Sequence, residues 1–92
     1  MIWQIYQTNR FARAYKRLHE NQLPEVDKAI EGLSNNPKVG EKKKGDLSEL
    51  YVLKFSCLGQ QLLLGYTLDE GVKLIYLEAL GVHQNFYREI KK

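Results

Sequence analysis

Three strand-like segments follow one another in the second half of this chain, and only short, turn-rich connections separate them. The segments are residues 50–55, 61–67 and 72–80, and the connections contain Leu58-Gly59 and Asp69-Glu70-Gly71. Connections this short join antiparallel neighbours, because parallel neighbours need a crossover of a dozen or more residues. The second half therefore predicts an antiparallel sheet.

The first half predicts one strand and two helices. Residues 2–7 mix β-branched and aromatic side chains, as strands do. Thr8 or Asn9 can cap a following helix, in which apolar side chains recur at spacings of three and four up to residue 18. Pro24 suits the first turn of a second helix, which residues 34–37 end. Two helices joined by so few residues are expected to pack as an antiparallel hairpin.

This order of elements predicts an α+β domain. Its parts are an N-terminal strand, a helical hairpin, an antiparallel sheet of about four strands and a short helix near the C-terminus. At 92 residues the chain is expected to form one domain, residues 1–92, around one core. Because both helices of the hairpin lie on one face of the sheet, a tail or a partner must cover the other face, and we expect a functional site there.

Composition is that of an ordinary soluble protein. Hydrophobic residues make up 43% and charged residues 27%, which argues against disorder. No apolar run approaches the ~18 residues of a membrane span, and no signal peptide is visible, so we expect a cytoplasmic protein without a membrane partner. The single cysteine, Cys57, is expected to be a small buried hydrophobe. With only His19 and His83 available as histidines, neither a metal nor a cofactor is expected.

The net charge is +3, from 14 basic and 11 acidic residues, which is too small an excess to name nucleic acid as a partner. The distribution of the basic residues says more, because they form three clusters. Any single cluster is most simply a solvated charge run, although together they allow one positive face. The clusters are Lys42, Lys43 and Lys44; Arg10, Arg13, Lys16 and Arg17; and Arg88, Lys91 and Lys92.

The densest chemistry follows the last strand. His83 stands two residues after Gly81, and Phe86, Tyr87 and Arg88 come within about one helical turn of it. An imidazole, two aromatic faces and a fixed cation can hold a nucleotide and cleave beside it. Structural roles stay open for each: His83 can cap the helix, Phe86 can belong to the core, and Tyr87 can simply pack.

Cleavage of RNA is the reaction these side chains suit. The 2′-hydroxyl beside each phosphodiester needs a base, the leaving oxygen needs an acid, and the phosphate needs positive charge, with no metal required. We predict His83 as base or acid, Tyr87 as a positioning group or donor, and Lys54 with Arg88 as phosphate ligands. Lys54 is otherwise a surface lysine whose stem lies along the sheet. The candidates for RNA binding are Lys42, Lys43 and Lys44 by charge and Phe86 by stacking.

Several of these features together resemble a known family. The order of elements, Gly45-Asp46-Leu47 before the second strand, Tyr66 at the end of the third, and Gly81-Val82-His83 before paired aromatics resemble the RelE/ParE superfamily of toxins from bacterial type II toxin–antitoxin modules. The resemblance spans nearly the whole chain and is nearest to the mRNA interferase branch that includes YafQ. It implies a metal-independent endoribonuclease that cleaves mRNA in the ribosomal A site.

The resemblance also implies site residues. It places His83 at the position of the catalytic histidine, Phe86 or Tyr87 at that of the trailing aromatic, and Lys54 where members carry a basic or imidazole residue. Many RelE-like nucleases carry an arginine where this chain has Gln60 and Gln61. Glutamine can hydrogen-bond a phosphate but supplies no charge. We therefore predict Gln61 as an RNA-binding residue and expect the positive charge to come from Lys54, Arg88 or residues 42–44.

Two other functions fit the same resemblance. The ParE branch shares the fold without the nuclease residues, so the chain can be a non-catalytic inhibitor of DNA gyrase. It can also be an inactive binding protein with a RelE fold. Either toxin function implies a cognate antitoxin, expected to bind the uncovered sheet face as an amphipathic helix or a sheet edge as an added strand. Its acidic residues are expected to meet Arg10, Arg13 and Arg17 or the C-terminal lysines.

Overall fold

The computed structural model describes residues 3–45 and 49–90. A 3₁₀ turn at Glu20–Gln22 joins the two helices of the first half. Ile2, Asp46, Leu47, Lys91 and Lys92, which the sequence arguments used, lie outside the described residues. The bounds are β1 Gln4–Gln7, α1 Asn9–Lys16, α2 Leu23–Asn35, β2 Glu41–Lys42, β3 Tyr51–Cys57, β4 Gln60–Asp69, β5 Leu74–Gly81 and α3 His83–Ile90.

The strands form one sheet in the order β1-β5-β4-β3-β2. The predicted antiparallel pairing of β3, β4 and β5 is confirmed. The sheet is nevertheless mixed, because β1 lies parallel to β5 and the helical hairpin belongs to the crossover that parallel pairing requires. Among the described residues it also has five strands instead of about four. The additional strand, β2, pairs only Glu41 and Lys42 with Val52 and Tyr51, and two residues are too few to show any alternation.

The main core lies between α1, α2 and the sheet face that they cover, which we call the first face. Phe11, Val26 and Leu33 of the helices and Leu64 and Tyr66 of β4 are each at most 1% exposed there. Cys57 at the end of β3 is buried in the same cluster, which confirms its prediction as a buried hydrophobe. The apolar positions that recur at helical spacing on both helices thus form this core.

The start of α1 is fixed to β5 at a β-bulge. Thr8, one of the two caps that the sequence allowed, is the N-cap, and its hydroxyl oxygen accepts a hydrogen bond from the Phe11 N–H at 3.2 Å. The same hydroxyl can donate to the carbonyl of Leu77 at 3.1 Å or of Glu78 at 3.2 Å. Strand pairing skips Glu78, so the backbone of this bulge residue has no partner in the neighbouring strand. The Thr8 hydroxyl supplies a hydrogen-bond partner instead. The contact places α1 beside the end of β5 that β1 does not pair.

The opposite, second face is covered in part by the chain itself. Phe86 of α3 is 2% exposed and packs with Val52, Leu63 and Ala79 in a second apolar cluster. A Cβ atom on Gly65 would lie 2.6 Å from Cζ of Phe86, so only glycine lets the ring sit this close to β4. The short C-terminal helix is therefore confirmed, and it begins at His83. Every helix within the described ranges is too short or too polar to span a lipid bilayer.

Candidate functional site

Charged and polar side chains from three neighbouring strands share the second face. Residues paired across a ladder point to the same side of a sheet. Glu41 pairs with Val52, and Lys54 pairs with Leu63, whose side chain packs under α3. Gln61, two residues before Leu63 on β4, has the same orientation. The predicted residues Lys54 and Gln61 are both exposed there.

The lysines of residues 42–44 do not act as one cluster. The Lys42 ammonium lies 5.8 Å from the ring centroid of Tyr51, which belongs to the core of the first face. The Lys43 ammonium lies 5.6 Å from the ring centroid of Tyr87 on the second face. Lys44 is exposed. The prediction of a single lysine cluster is thus corrected, because successive residues of the extended chain point to opposite sides.

The predicted residues Phe86, Tyr87 and His83 of α3 are respectively buried, half-buried and exposed. Phe86 is an anchor, and its burial opposes the predicted stacking on a base, since the ring would have to leave the core. Tyr87 packs edge-on against Phe86 with ring centroids 5.0 Å apart. The exposed His83 imidazole packs edge-on against Tyr87 at 5.1 Å. The buried ring therefore orients the phenol, and the phenol orients the imidazole.

Glu41 joins this group, although sequence reasoning missed it. Its carboxylate accepts a hydrogen bond from the Lys43 ammonium at 2.7 Å. This pairing raises the pKa of Lys43, to which Tyr87 adds a smaller effect, and lowers the pKa of Glu41, to which Lys54 contributes a weaker attraction. Both partners are therefore charged at neutral pH. The only signal in the sequence was the alternation of Glu41, Lys42 and Lys43, which has meaning only if β2 is already known.

We call His83, Tyr87, Lys43 and Glu41 the His83 cluster. It brings an imidazole, a phenol, an ammonium and a carboxylate to the open side of the sheet, with Lys54 on the same face. Arg88 does not belong to it, because five residues along a helix turn a side chain by roughly 140° away from His83. In the part of the chain that the structure describes, no three His, Cys, Asp or Glu side chains converge as metal ligands do.

A buried tyrosine holds the residue before β2, next to Glu41. The Tyr66 hydroxyl accepts a hydrogen bond from the Gly40 N–H at 2.9 Å. A Cβ atom on Gly40 would lie 2.6 Å from the same oxygen, so glycine is required for this approach. Burial raises the pKa of Tyr66, against a smaller opposing effect of the Gly40 N–H. Tyr66 thereby positions β2 from inside the core.

A groove of about 560 Å³ lies between α1 and the start of α3. Leu62 and Leu80 contribute to its apolar part. The arginines of α1 follow at spacings of three and four, which place them on one side of the helix. The sequence showed this basic cluster but not the cavity beside it. We call the cavity the arginine groove, and its polar lining includes Arg10, Arg13, Arg17, Gln60 and Asn85.

Solved structures share this fold at low sequence identity. The toxin–antitoxin complex RelBE2 from Mycobacterium tuberculosis matches with a TM-score of 0.79 and 18% identity, over 90% of this chain and 100% of that chain. A free RelE toxin from E. coli with two arginines replaced by alanine matches with a TM-score of 0.74 and 13% identity, over 92% and 87%. The same mutant toxin bound to a peptide of the antitoxin RelB gives 0.72 and 16%, over 100% and 97%. The architecture is that of a RelE-fold protein.

The sequence itself identifies the family. Residues 5–91 match the model of the ParE-like toxins of type II bacterial toxin–antitoxin systems. The chain belongs to this family, and the resemblance to the RelE/ParE superfamily is confirmed. A comparison with curated proteins found no match.

Proposed function

We propose that this toxin is a metal-independent endoribonuclease that cleaves mRNA on the ribosome, in the cytoplasm. The observation that carries the proposal is the His83 cluster, which joins an imidazole, a phenol, an ammonium and a carboxylate on the open second face. Those groups supply the acid, the base and the positive charge that cleavage of a phosphodiester by its 2′-hydroxyl requires. Family membership supports toxicity, and the cluster supports the nuclease reaction.

In the proposed reaction, the 2′-hydroxyl oxygen attacks the adjacent phosphorus, the bond to the 5′ oxygen breaks, and a 2′,3′-cyclic phosphate forms. Glu41 is ionised and can accept the 2′-hydroxyl proton, although the lowered pKa makes it a weaker base. His83 then gives a proton to the leaving 5′ oxygen. Lys43 and Lys54 face the phosphate with positive charge that Gln61 cannot supply, and Tyr87 holds the imidazole in place.

A second function is supported by a specific observation. The matching family model describes ParE-like toxins, and the ParE branch of the resemblance implies inhibition of DNA gyrase without catalysis. Gln60 and Gln61 lack the charge of the arginine that many RelE-like nucleases carry. In that case the His83 cluster would be a binding surface, and the toxin would cause DNA damage while mRNA stays intact.

Replacement of His83 separates these functions. If His83 transfers a proton, His83→Ala should lower cleavage by about 10²- to 10⁴-fold while the fold is retained. Primer extension on a reporter transcript after induced expression measures the cleavage, and circular dichroism checks the fold. His19→Ala is the matched control, because it removes an exposed imidazole from the turn before α2.

Two results would contradict the nuclease proposal. One is cleavage by folded His83→Ala at the wild-type rate. The other is a wild-type toxin that leaves transcripts intact and induces the DNA-damage response, which would favour gyrase.

We infer that a cognate antitoxin is the protein partner. Membership in a type II toxin family supports this inference, and similar solved structures include toxins in complex with RelB-type antitoxins. We expect the antitoxin to bind the uncovered part of the second face.

A further inference from the structure

We propose that the arginine groove binds the sugar–phosphate backbone of single-stranded RNA and guides the strand to His83. The inference rests on the proposed nuclease function, which it extends from the cleavage site to the path of the substrate. The groove lies between α1 and the start of α3, outside the His83 cluster.

Arg13 and Arg17 of the groove support an anionic ligand. Arg13 and Arg17 are exposed on the groove side of α1. Within residues 3–45 and 49–90, neither guanidinium has an ion pair or a hydrogen bond. No described aspartate or glutamate lines the groove. Guanidinium groups bind phosphate oxygens through paired N–H donors, so two of them at helical spacing can hold neighbouring points of one backbone.

Neutral hydrogen-bonding groups complete the lining. The side-chain amides of Gln60 and Asn85 are exposed at the groove. An amide offers both donors and an acceptor, which can pair with a ribose 2′-hydroxyl or a base edge. Leu62 and Leu80, which are only 3% and 9% exposed, form the apolar floor of the groove beside them. This mixture suits a nucleic acid strand better than an isolated phosphate ion.

The groove ends at the same turn of α3 that carries the candidate catalytic residue. Val82 and Asn85 line the groove, and His83 belongs to the same first turn of α3, with its side chain turned by roughly 200° from that of Asn85. A strand that leaves the groove therefore passes around the start of α3 to reach the imidazole. An acidic peptide could also neutralise Arg13 and Arg17. The amides and the path to His83 favour RNA, and binding of a peptide becomes an outcome of the test.

The test measures RNA binding separately from cleavage. A short, labelled, single-stranded RNA is titrated with the His83→Ala protein, which should not cut it, at several salt concentrations. Arg13→Gln/Arg17→Gln should weaken binding and reduce the salt slope by about 0.7 for each phosphate that the variant no longer neutralises, or about 1.4 for two. Lys16→Gln/Lys28→Gln removes the same charge from exposed positions outside the groove lining and should leave the slope unchanged. Arg13→Lys/Arg17→Lys should retain the slope.

Each result decides the proposal. A wild-type groove that binds RNA in a protein that never cleaves it would leave the groove standing and reject the nuclease function. If the wild-type protein cleaves RNA and Arg13→Gln/Arg17→Gln keeps the same RNA affinity, the nuclease function stands and the groove proposal is rejected. Equal losses of affinity in Arg13→Gln/Arg17→Gln and in Lys16→Gln/Lys28→Gln would show a general charge effect and overturn the proposal. It would also be overturned if the arginine variant were impaired only in antitoxin binding, or if the His83→Ala protein bound no RNA.

Discussion

At the scale of single residues, Gly65 decides whether α3 can lie on the sheet. A Cβ atom there would be 2.6 Å from Cζ and 3.1 Å from Cε1 of Phe86. Because the ring is buried and cannot swing into solvent, Gly65→Ala should lower the free energy of unfolding by about 1–3 kcal/mol, as overpacked cores do. Urea denaturation measures this loss. Adding Phe86→Leu should recover part of it, because the shorter side chain frees space.

The matched control for Gly65 is Gly32, which lies exposed in α2 with nothing within 4 Å of an added Cβ. Gly32→Ala should stabilise the protein by about 0.5–1 kcal/mol, because alanine has the higher helix propensity. If Gly65→Ala were also neutral or stabilising, the close contact between Phe86 and β4 would not exist in solution.

Tyr66 should make stability depend on alkaline pH. Burial raises the pKa of Tyr66 above its ordinary value, so the unfolded chain releases this proton at a lower pH than the folded protein. The contribution is fully present below about pH 10 and is lost as pH rises through the raised pKa. Tyr66→Phe should flatten this alkaline decline, measured by urea denaturation at a series of pH values. It should also lower stability at neutral pH by about 1 kcal/mol, because the Gly40 N–H loses its acceptor.

Tyr15 provides the comparison for that measurement. Its pKa is raised mainly by the hydrogen bond that its hydroxyl donates to Asp27 between α1 and α2, with a smaller effect of burial. Tyr15→Phe should remove its own share of the alkaline decline and leave cleavage unchanged. Tyr66→Phe should lower cleavage as well, since Tyr66 holds Gly40 directly before Glu41. If stability fell at alkaline pH as much in Tyr66→Phe as in the wild type, burial would not raise the pKa of Tyr66.

At the scale of elements, β2 makes neighbouring lysines unequal. Lys43 faces Tyr87 and Glu41 on the second face, whereas Lys42 lies over Tyr51 on the first. Lys43→Ala should therefore reduce RNA cleavage and lower the salt slope of RNA binding by about 0.7 if Lys43 neutralises one phosphate. Lys42→Ala, which removes the same charge one residue away, should change neither. Equal effects in both variants would mean that the lysines act only as a diffuse positive charge.

The same element shows what sequence reasoning can and cannot find. The three long strands and the hairpin were predictable, because period-2 and period-3.6 patterns extend over enough residues to be recognised. The parallel pairing of β1 with β5 was not, because it depends on the distant end of the chain. Strand β2 was missed because two residues show no period. The sequence alone allowed Phe86 to lie in the core or at the site. The packing of α3 shows that it lies in the core.

For the candidate site, chemistry was easier to predict than placement. His83 and Tyr87 were found as residue types suited to RNA cleavage, since their spacing of four brings them together on a helix. Glu41 was missed because it joins the site only through Lys43, whose other neighbour is Tyr87 of α3. The arginine groove was missed because its walls are distant in sequence. Sites formed between elements become visible only after the topology is known.

At the scale of the whole molecule, α3 leaves part of the second face uncovered. Tyr6 is 53% exposed and stacks on Tyr76 with ring centroids 6.1 Å apart. The pairing of Tyr76 with Thr67 of β4 places both rings on the second face near β1. An aromatic pair with one exposed and one half-buried ring next to a sheet edge is a surface that a protein partner can bury. We expect the cognate antitoxin to cover it.

The melting temperature should therefore rise with the concentration of antitoxin. At a hundredfold excess over the dissociation constant, binding adds about 2.7 kcal/mol to the free energy of unfolding. Tyr6→Ser/Tyr76→Ser should reduce this shift at equal concentration, because the variant has less aromatic area to bury. Leu58→Asn is the control: Leu58 is 60% exposed in the turn after β3 at a φ of 53°, which asparagine tolerates. Thermal unfolding with the product of the adjacent reading frame measures all three proteins. Equal shifts in both variants would show that the antitoxin binds elsewhere, and a melting temperature independent of its concentration would show that this product is not the partner.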